Sequence, residues 1–127
     1  MLQELIDPRG HHVRPRISLA QRKSIDQLRE GAILFYDNTK LSFCNYGETF
    51  TRTKERFQEM GISRFVDYRE TVRGKTSRDL KDFAAKMAKE EPAAAVVAMG
   101  DMGTSSATTI VAIALEELGI PTLYFTA

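Results

Sequence analysis

A run of small hydroxyl residues and glycine, GDMGTSSATT at residues 100–109, lies between two apolar stretches. This position predicts a turn from a strand into a helix. A glycine-containing turn of this kind lets backbone N–H groups point at a ligand, and a helix N-terminus favours negative charge. Side-chain hydroxyls of Thr104, Ser105 and Ser106 would add further donors. The turn therefore predicts a site for a small carboxylate, phosphate or sulfur oxyanion.

A second polar loop, DNTK at residues 37–40, follows an apolar run of strand length. Lys40 would neutralise an anion, and Asp101 of the first loop would position a ligand or a water. Candidate catalytic residues are Ser105, Asp101 and Lys40. Candidate ligand-binding residues are Asp37, Asn38, Gly100, Met102, Gly103, Thr104, Ser106, Arg69 and Arg73.

Structural roles compete with each of these assignments. Serine and threonine at a helix start are commonly caps, and Asp101 can instead satisfy neighbouring N–H groups. Lys40 can be a solvated surface residue. The basic residues after the second strand can line the rim of the site or form a solvated loop; they are Arg69, Arg73 and Lys75.

No metal is expected, and the sequence indicates no particular cofactor. His11 and His12 are adjacent on a segment that reads as an extended arm, so their side chains point in opposite directions. The single cysteine, Cys44, excludes an internal disulfide, and no Cys/His group has the spacing of a structural zinc site. Cys44 is either an ordinary half-buried thiol or a reactive one.

Apolar runs alternate with amphipathic stretches from residue 31 onward, which predicts βαβ units around a small open parallel sheet. The predicted strands are GAILFYDN (31–38), SRFVDYRE (63–70), AAAVVAMG (93–100) and PTLYFTA (121–127). We expect the flavodoxin-like order 2-1-3-4, in which the loops after the first and third strands meet where the strand order reverses. The fold class is therefore α/β, with an N-terminal arm and short helix (1–30) before the α/β domain (31–127).

Helix boundaries are predicted from apolar periodicity, capping patterns and glycine. The helix predicted between the first two strands has one apolar stripe and ends at Gly61. The helix predicted between the second and third strands has a capping box at residues 76–79. The last helix, residues 105–118, is apolar on most sides and ends at Gly119. In the N-terminal region, Ser18 and Gln21 have the spacing of a capping box. The thin apolar edge of the short helix there is Leu19, Ile25 and Leu28.

The charge of the chain is nearly balanced, with 18 Lys and Arg against 17 Asp and Glu. Composition therefore gives no reason to expect nucleic acid or a membrane as a partner. No apolar run is long enough to span a bilayer, and the first residues lack the order of a signal peptide. The expected location is the cytoplasm.

The chain resembles the UGSC family, relatives of the selenoprotein B component of glycine reductase. The resemblance rests on ILFYDNTK followed by VVAMGDMGTSSATTIVAIALEELGIPTL, and it covers residues 14–126. Family members carry a G-D-(Cys or selenocysteine)-G-S-Cys segment, a helix and then L-E-x-x-G-I-P-T. Here Met102 and Ser105 stand at the two chalcogen positions, with Gly103 and Thr104 between them. Because a thioether is no thiolate and no histidine lies near Ser105, thiol or selenol redox chemistry is not expected of this chain alone.

The resemblance also implies partners. Family members usually continue beyond the fourth strand, where this sequence stops, and a sheet ending there has an open edge and an uncovered apolar face. We expect a larger partner subunit that completes the sheet, or a homo-oligomer.

The predicted function is a small subunit of a UGSC-type reductase, lyase or hydrolase that acts on a small anionic or carbonyl-containing substrate at a shared active site. The alternatives are a non-catalytic structural or regulatory subunit and a binding module for a small anionic ligand.

Overall fold

Strands and helices alternate along the chain in the computed structural model, which describes residues 17–40, 45–101 and 103–126. The elements are α1 (Ile25–Glu30), β1 (Ile33–Asp37), α2 (Tyr46–Glu59), β2 (Phe65–Arg69), α3 (Ser77–Ala88), β3 (Ala94–Gly100), α4 (Ser105–Glu117) and β4 (Thr122–Thr126). Each of the four predicted strands is present, one or more residues shorter than the sequence pattern suggested. None of the helices in these described ranges is long and apolar enough to cross a membrane.

All strand pairs in the sheet are parallel, and the order is β2-β1-β3-β4. The predicted α/β class and the order 2-1-3-4 are therefore confirmed. In the register, Ile33 lies opposite Phe65 on one side and Ala94 on the other. The central strands β1 and β3 are buried along nearly their whole length, which explains their continuous apolar sequences.

Helices cover both faces of the sheet. Neighbouring residues of a strand point to opposite faces, so each central strand contributes to two core clusters. Tyr36 belongs to the core cluster that includes residues of α3 and α4. Phe35 belongs to the opposite cluster, against which α1 and α2 pack, and its ring meets that of Phe50 edge-on at 5.0 Å. Two apolar layers thus hold β1 and β3 in the middle of the molecule.

The start of the first helix differs from the prediction. Residues 17–24 are not helical, and α1 begins after Ser24. The Ser24 hydroxyl accepts a hydrogen bond from the Gln27 N–H, and the Gln27 side chain accepts one from the Ser24 N–H. The capping box predicted at Ser18 and Gln21 is therefore wrong.

The two candidate capping patterns differ in their tertiary contacts, and only the second is followed by apolar residues that pack on the core. SLAQ and SIDQ have the same capping spacing, but the backbone N–H of Ala20 in the first donates to Glu116, 96 residues away. Ile25 and Leu28 follow the second and pack against the core, as predicted for the apolar edge. Leu19 does not belong to that edge, since it is 67% exposed.

The other predicted helix boundaries agree with the structure. Thr76 caps α3 in a capping box with Asp79. Gly61, after α2, and Gly119, after α4, both have φ of +84°, a left-handed conformation that glycine adopts without strain.

Candidate functional site

The loops after β1 and β3 meet at the carboxyl edge of the sheet, because the two strands are parallel neighbours. We call residues 38–40 the β1 loop and residues 101–104, of which residue 102 is not described, the β3 loop. The Lys40 ammonium nitrogen lies 2.6 and 2.7 Å from the two carboxylate oxygens of Asp101. Their side chains are only 16% and 15% exposed. The two loops are thus joined by a two-pronged, largely buried ion pair.

Asp37, at the end of β1, holds the β1 loop in place. One carboxylate oxygen accepts the backbone N–H of Lys40 at 3.0 Å. The other lies 3.3 Å from Nε of Arg69 at the end of β2. Both oxygens of this buried carboxylate therefore have partners, and its role in this arrangement is to position Lys40.

Asp101 organises the start of α4. Its backbone carbonyl accepts the N–H groups of Thr104 and Ser105. Thr104 is the N-terminal cap residue by position, but its hydroxyl donates to the Asp101 carboxylate and not to the helix. Hydrogen bonds from Lys40 and then from Thr104 hold the pKa of Asp101 below its ordinary value. Asp101 is therefore ionised at neutral pH and is a weak base while these partners remain.

Asn38 lies at the base of the same junction and is 1% exposed. Its amide nitrogen donates to the Met99 carbonyl at 2.6 Å and to the Thr108 hydroxyl oxygen at 3.0 Å. The Thr108 hydroxyl donates in turn to the Thr104 carbonyl at 2.9 Å. The amide oxygen, Asn38 Oδ1, is buried and has no hydrogen-bond partner. Sequence reasoning placed Asn38 in the site but found neither this free acceptor nor Thr108.

Gly100 is required by a close approach from β4. A Cβ at this position would lie 2.0 Å from the Tyr124 hydroxyl oxygen. That hydroxyl donates to the Ser105 carbonyl at 3.0 Å and so ties β4 to the first residue of α4. Tyr124 was not predicted as a site residue, since the strand pattern around it gives no sign that its hydroxyl reaches across to α4.

The remaining predicted residues lie at the surface or outside the described ranges. Ser105 and Ser106 are exposed in the first turn of α4, and Gly103 has φ of +90° in the turn before it. Arg73 is exposed, and its backbone N–H donates to Thr71 in its own loop. Lys75 lies 3.7 Å from Glu70, beside a cavity of about 290 Å³ between the end of β2 and α3. The positions outside the described residues are Met102, Cys44, His11 and His12.

Among the described residues, no group of three or more His, Cys, Asp or Glu side chains is arranged to hold a metal ion. Apart from the Asp37 carboxylate, whose two oxygens have partners within the chain, the described part of the site offers the Lys40 ammonium, the ionised carboxylate of Asp101, hydroxyls, a helix N-terminus and the unpartnered amide oxygen of Asn38. Such a set can bind a small anion and orient a neutral polar group beside it.

The sequence model of the UGSC family matches residues 4–126 of the chain, a span that includes every residue of this site. No curated protein and no solved structure matches the chain.

Proposed function

Because this chain belongs to the UGSC family, we propose that it is a subunit of a UGSC-type enzyme and binds a small anionic or carbonyl-containing substrate where the β1 and β3 loops meet. The observation that carries this proposal is the ion pair of Lys40 and Asp101, which places a largely buried ammonium beside the start of α4. The reaction is a reductase, lyase or hydrolase step. A partner chain supplies part of the catalytic machinery.

Binding of an anion is supported by the donors around Lys40. The first N–H groups of a helix lack partners within the helix and carry partial positive charge. In α4 the Ser105 N–H is already used by the Asp101 carbonyl, so a ligand would be held by the N–H groups that follow it in the first turn. Since the Thr104 hydroxyl is used by Asp101, it does not compete with a ligand for those groups. Ser105 and Ser106 are exposed in the same turn and add hydroxyl donors. These groups would stabilise negative charge on a substrate oxygen.

The ligand would exchange with Asp101 at Lys40. An incoming carboxylate or phosphate takes the place of the Asp101 carboxylate on the ammonium, so the charge of Lys40 stays compensated. Asp101 then loses the hydrogen bond that contributes most to lowering its pKa, and the pKa of this carboxyl rises toward the ordinary range. In that state Asp101 would position a ligand or a water molecule.

A shared active site is supported by the lack, among the described residues, of a side chain suited to act as a base toward Ser105. They contain no histidine, and the carboxylate nearest in sequence to Ser105 is Asp101, whose pKa is lowered. A serine hydroxyl needs an activating base to act as a nucleophile. We therefore assign the Ser105 hydroxyl to substrate binding in this chain, with a base or redox group provided by the partner.

Calorimetric titration of the full chain with acetate and with inorganic phosphate tests the proposal. We expect Lys40→Met to weaken binding about tenfold or more, since a charge-assisted contact is lost. We expect Asp101→Asn to strengthen it several-fold, because the ligand no longer displaces a carboxylate. Lys54→Met is the matched control, since Lys54 pairs with Asp67 at 2.6 Å elsewhere on the surface. Equal affinities of Lys40→Met and Lys54→Met would contradict the proposal.

A non-catalytic structural subunit is the second candidate, and one observation favours it. Asp101 pairs with the Lys40 ammonium and accepts the Thr104 hydroxyl without a ligand, as expected of an ion pair whose role is to hold two loops together. This function predicts that neither anion binds at millimolar concentration. It also predicts that Lys40→Met and Asp101→Asn lower the free energy of unfolding by similar amounts.

A further inference from the structure

We propose that the ligand of this site is an α-hydroxy carboxylate, whose hydroxyl donates to the unpartnered amide oxygen of Asn38. The inference rests on the proposed function, because Lys40 and the start of α4 are taken to hold the carboxylate. It adds a requirement that anion binding alone does not make: a hydrogen-bond donor on the carbon next to the carboxylate.

The first argument is the state of Asn38 Oδ1. This oxygen is buried and has no partner, whereas buried polar atoms in folded proteins nearly always have one. The amide of Asn38 is otherwise fully engaged, through Met99 and Thr108. An acceptor left open in an otherwise satisfied network is suited to a donor that arrives from outside the chain.

The second argument is that the amide orientation is fixed. The Met99 carbonyl only accepts hydrogen bonds, so the atom 2.6 Å from it must be the amide nitrogen. The Thr108 hydroxyl gives its hydrogen to the Thr104 carbonyl, so toward Asn38 it also accepts. Rotating the amide would place its oxygen against two acceptors. Oδ1 therefore needs an O–H or N–H donor.

The third argument is position. Asn38 directly follows β1, and Met99 lies on the neighbouring parallel strand β3; each is two residues before a member of the Lys40 and Asp101 pair. The amide is thus one step deeper toward the sheet than the ion pair, under the first turns of α4. A ligand carboxylate that takes Lys40 from Asp101 opens this junction, and a hydroxyl on the adjacent carbon then reaches inward to Oδ1.

A neutral donor fits better than a cationic one. Asn38 is 1% exposed, so a cation brought beside its amide oxygen would be desolvated at a higher cost than a neutral hydroxyl. This favours a hydroxyl over the ammonium of an α-amino acid.

Calorimetric titration of the full chain at neutral pH with glycolate, acetate and methoxyacetate tests the inference. All three are small carboxylates, but only glycolate carries a hydroxyl donor. We expect glycolate to bind about tenfold or more tightly than acetate, because the acceptor stays unpaired with acetate. Methoxyacetate, which has an ether oxygen and no donor, should bind no better than acetate.

The variant Asn38→Leu removes the acceptor at similar volume and should bring the affinities for glycolate and acetate to within about twofold of each other. The comparison of ligands on the unmodified chain does not depend on the folding of this variant. Equal binding of glycolate and acetate by the unmodified chain would overturn the inference, with Oδ1 then assigned to a buried water, and would leave the proposed function standing. No binding of any of the three would overturn the proposed function itself.

Discussion

The ammonium of Lys40 contacts both carboxylate oxygens of Asp101, at 2.6 and 2.7 Å, across 61 residues of sequence. This contact joins the ends of the two central strands, and each of its partners is held by its own loop. Asp37 accepts the Lys40 N–H, and the Thr104 hydroxyl donates to Asp101.

The ion pair predicts a particular pH dependence of stability. The pKa of Asp101 is lowered from its ordinary value of 3.8 in the folded chain, first by Lys40 and then by Thr104. A carboxyl with a lowered pKa contributes stability above its unfolded pKa and loses it as the pH falls through the folded pKa. We expect the difference in free energy of unfolding between the unmodified chain and Lys40→Met to be constant from about pH 5 to about pH 8, to begin falling as the pH approaches the ordinary value of 3.8, and to be lost only below the lowered pKa of Asp101 in the folded chain. Urea unfolding across this range measures it; a difference that grows on acidification would contradict the assignment.

The second prediction concerns Glu116, whose buried carboxylate connects the N-terminal segment to the edge strand β4. It accepts the N–H of Ala20, the Arg22 guanidinium and the N–H of Thr122, at 2.8, 2.6 and 2.8 Å. Burial raises the pKa of Glu116, but these hydrogen bonds outweigh it, so the net pKa is below the ordinary value. We expect Glu116→Gln to lower the free energy of unfolding by about 2 to 3 kcal/mol, since an amide group then faces N–H donors.

The control for Glu116→Gln is the same substitution at its exposed neighbour, and urea unfolding measures the free energy of unfolding of both variants. Glu117→Gln should change stability by less than about 0.5 kcal/mol. Similar effects of the two substitutions would show that the hydrogen bonds of Glu116 contribute little. The loss should also depend on pH, disappearing as acidification protonates Glu116 in the unmodified chain.

Gly100 is the third prediction. We expect Gly100→Ala to lower the free energy of unfolding by about 1 to 3 kcal/mol, because the added methyl group would overlap the Tyr124 ring end and displace its hydroxyl from Ser105. A double-mutant cycle with Tyr124→Val, followed by thermal or urea unfolding, separates this clash from other effects. Gly100→Ala should be less destabilising in the Tyr124→Val background. The same loss in both backgrounds would mean that the approach of Tyr124 is not the cause.

The fourth prediction concerns the first helix. Ser24→Ala should lower the free energy of unfolding by about 1 kcal/mol or less, because the hydroxyl that caps α1 is removed. Ser18→Ala is the matched control, since Ser18 has the same sequence spacing to a glutamine but lies outside any helix. Circular dichroism during urea unfolding compares the two, and a larger effect at Ser18 would contradict the observed helix start.

Local sequence patterns were enough to predict the strands, the helix ends at Gly61 and Gly119, the capping box of Thr76 and the strand order. These features depend on residue periodicity, on backbone conformations that glycine allows and on the handedness of crossovers, all of which act over short stretches of chain. Lys40 and Asp101 were also predicted to come to the same edge, because strand order fixes which loops are neighbours.

The contacts themselves depend on the folded chain. Nothing in the sequence near Asn38 shows that Met99 and Thr108 would use its amide nitrogen and leave its oxygen free. Likewise, the sequence shows Glu116 only as a polar residue near the end of an apolar helix. That its carboxylate accepts the N–H of Ala20, 96 residues away, depends on the folded chain. Such hydrogen bonds arise from side-chain geometry between residues far apart in the chain. That contact between Ala20 and Glu116 involves the first of the two equivalent capping patterns, which lies in a non-helical segment of the folded chain.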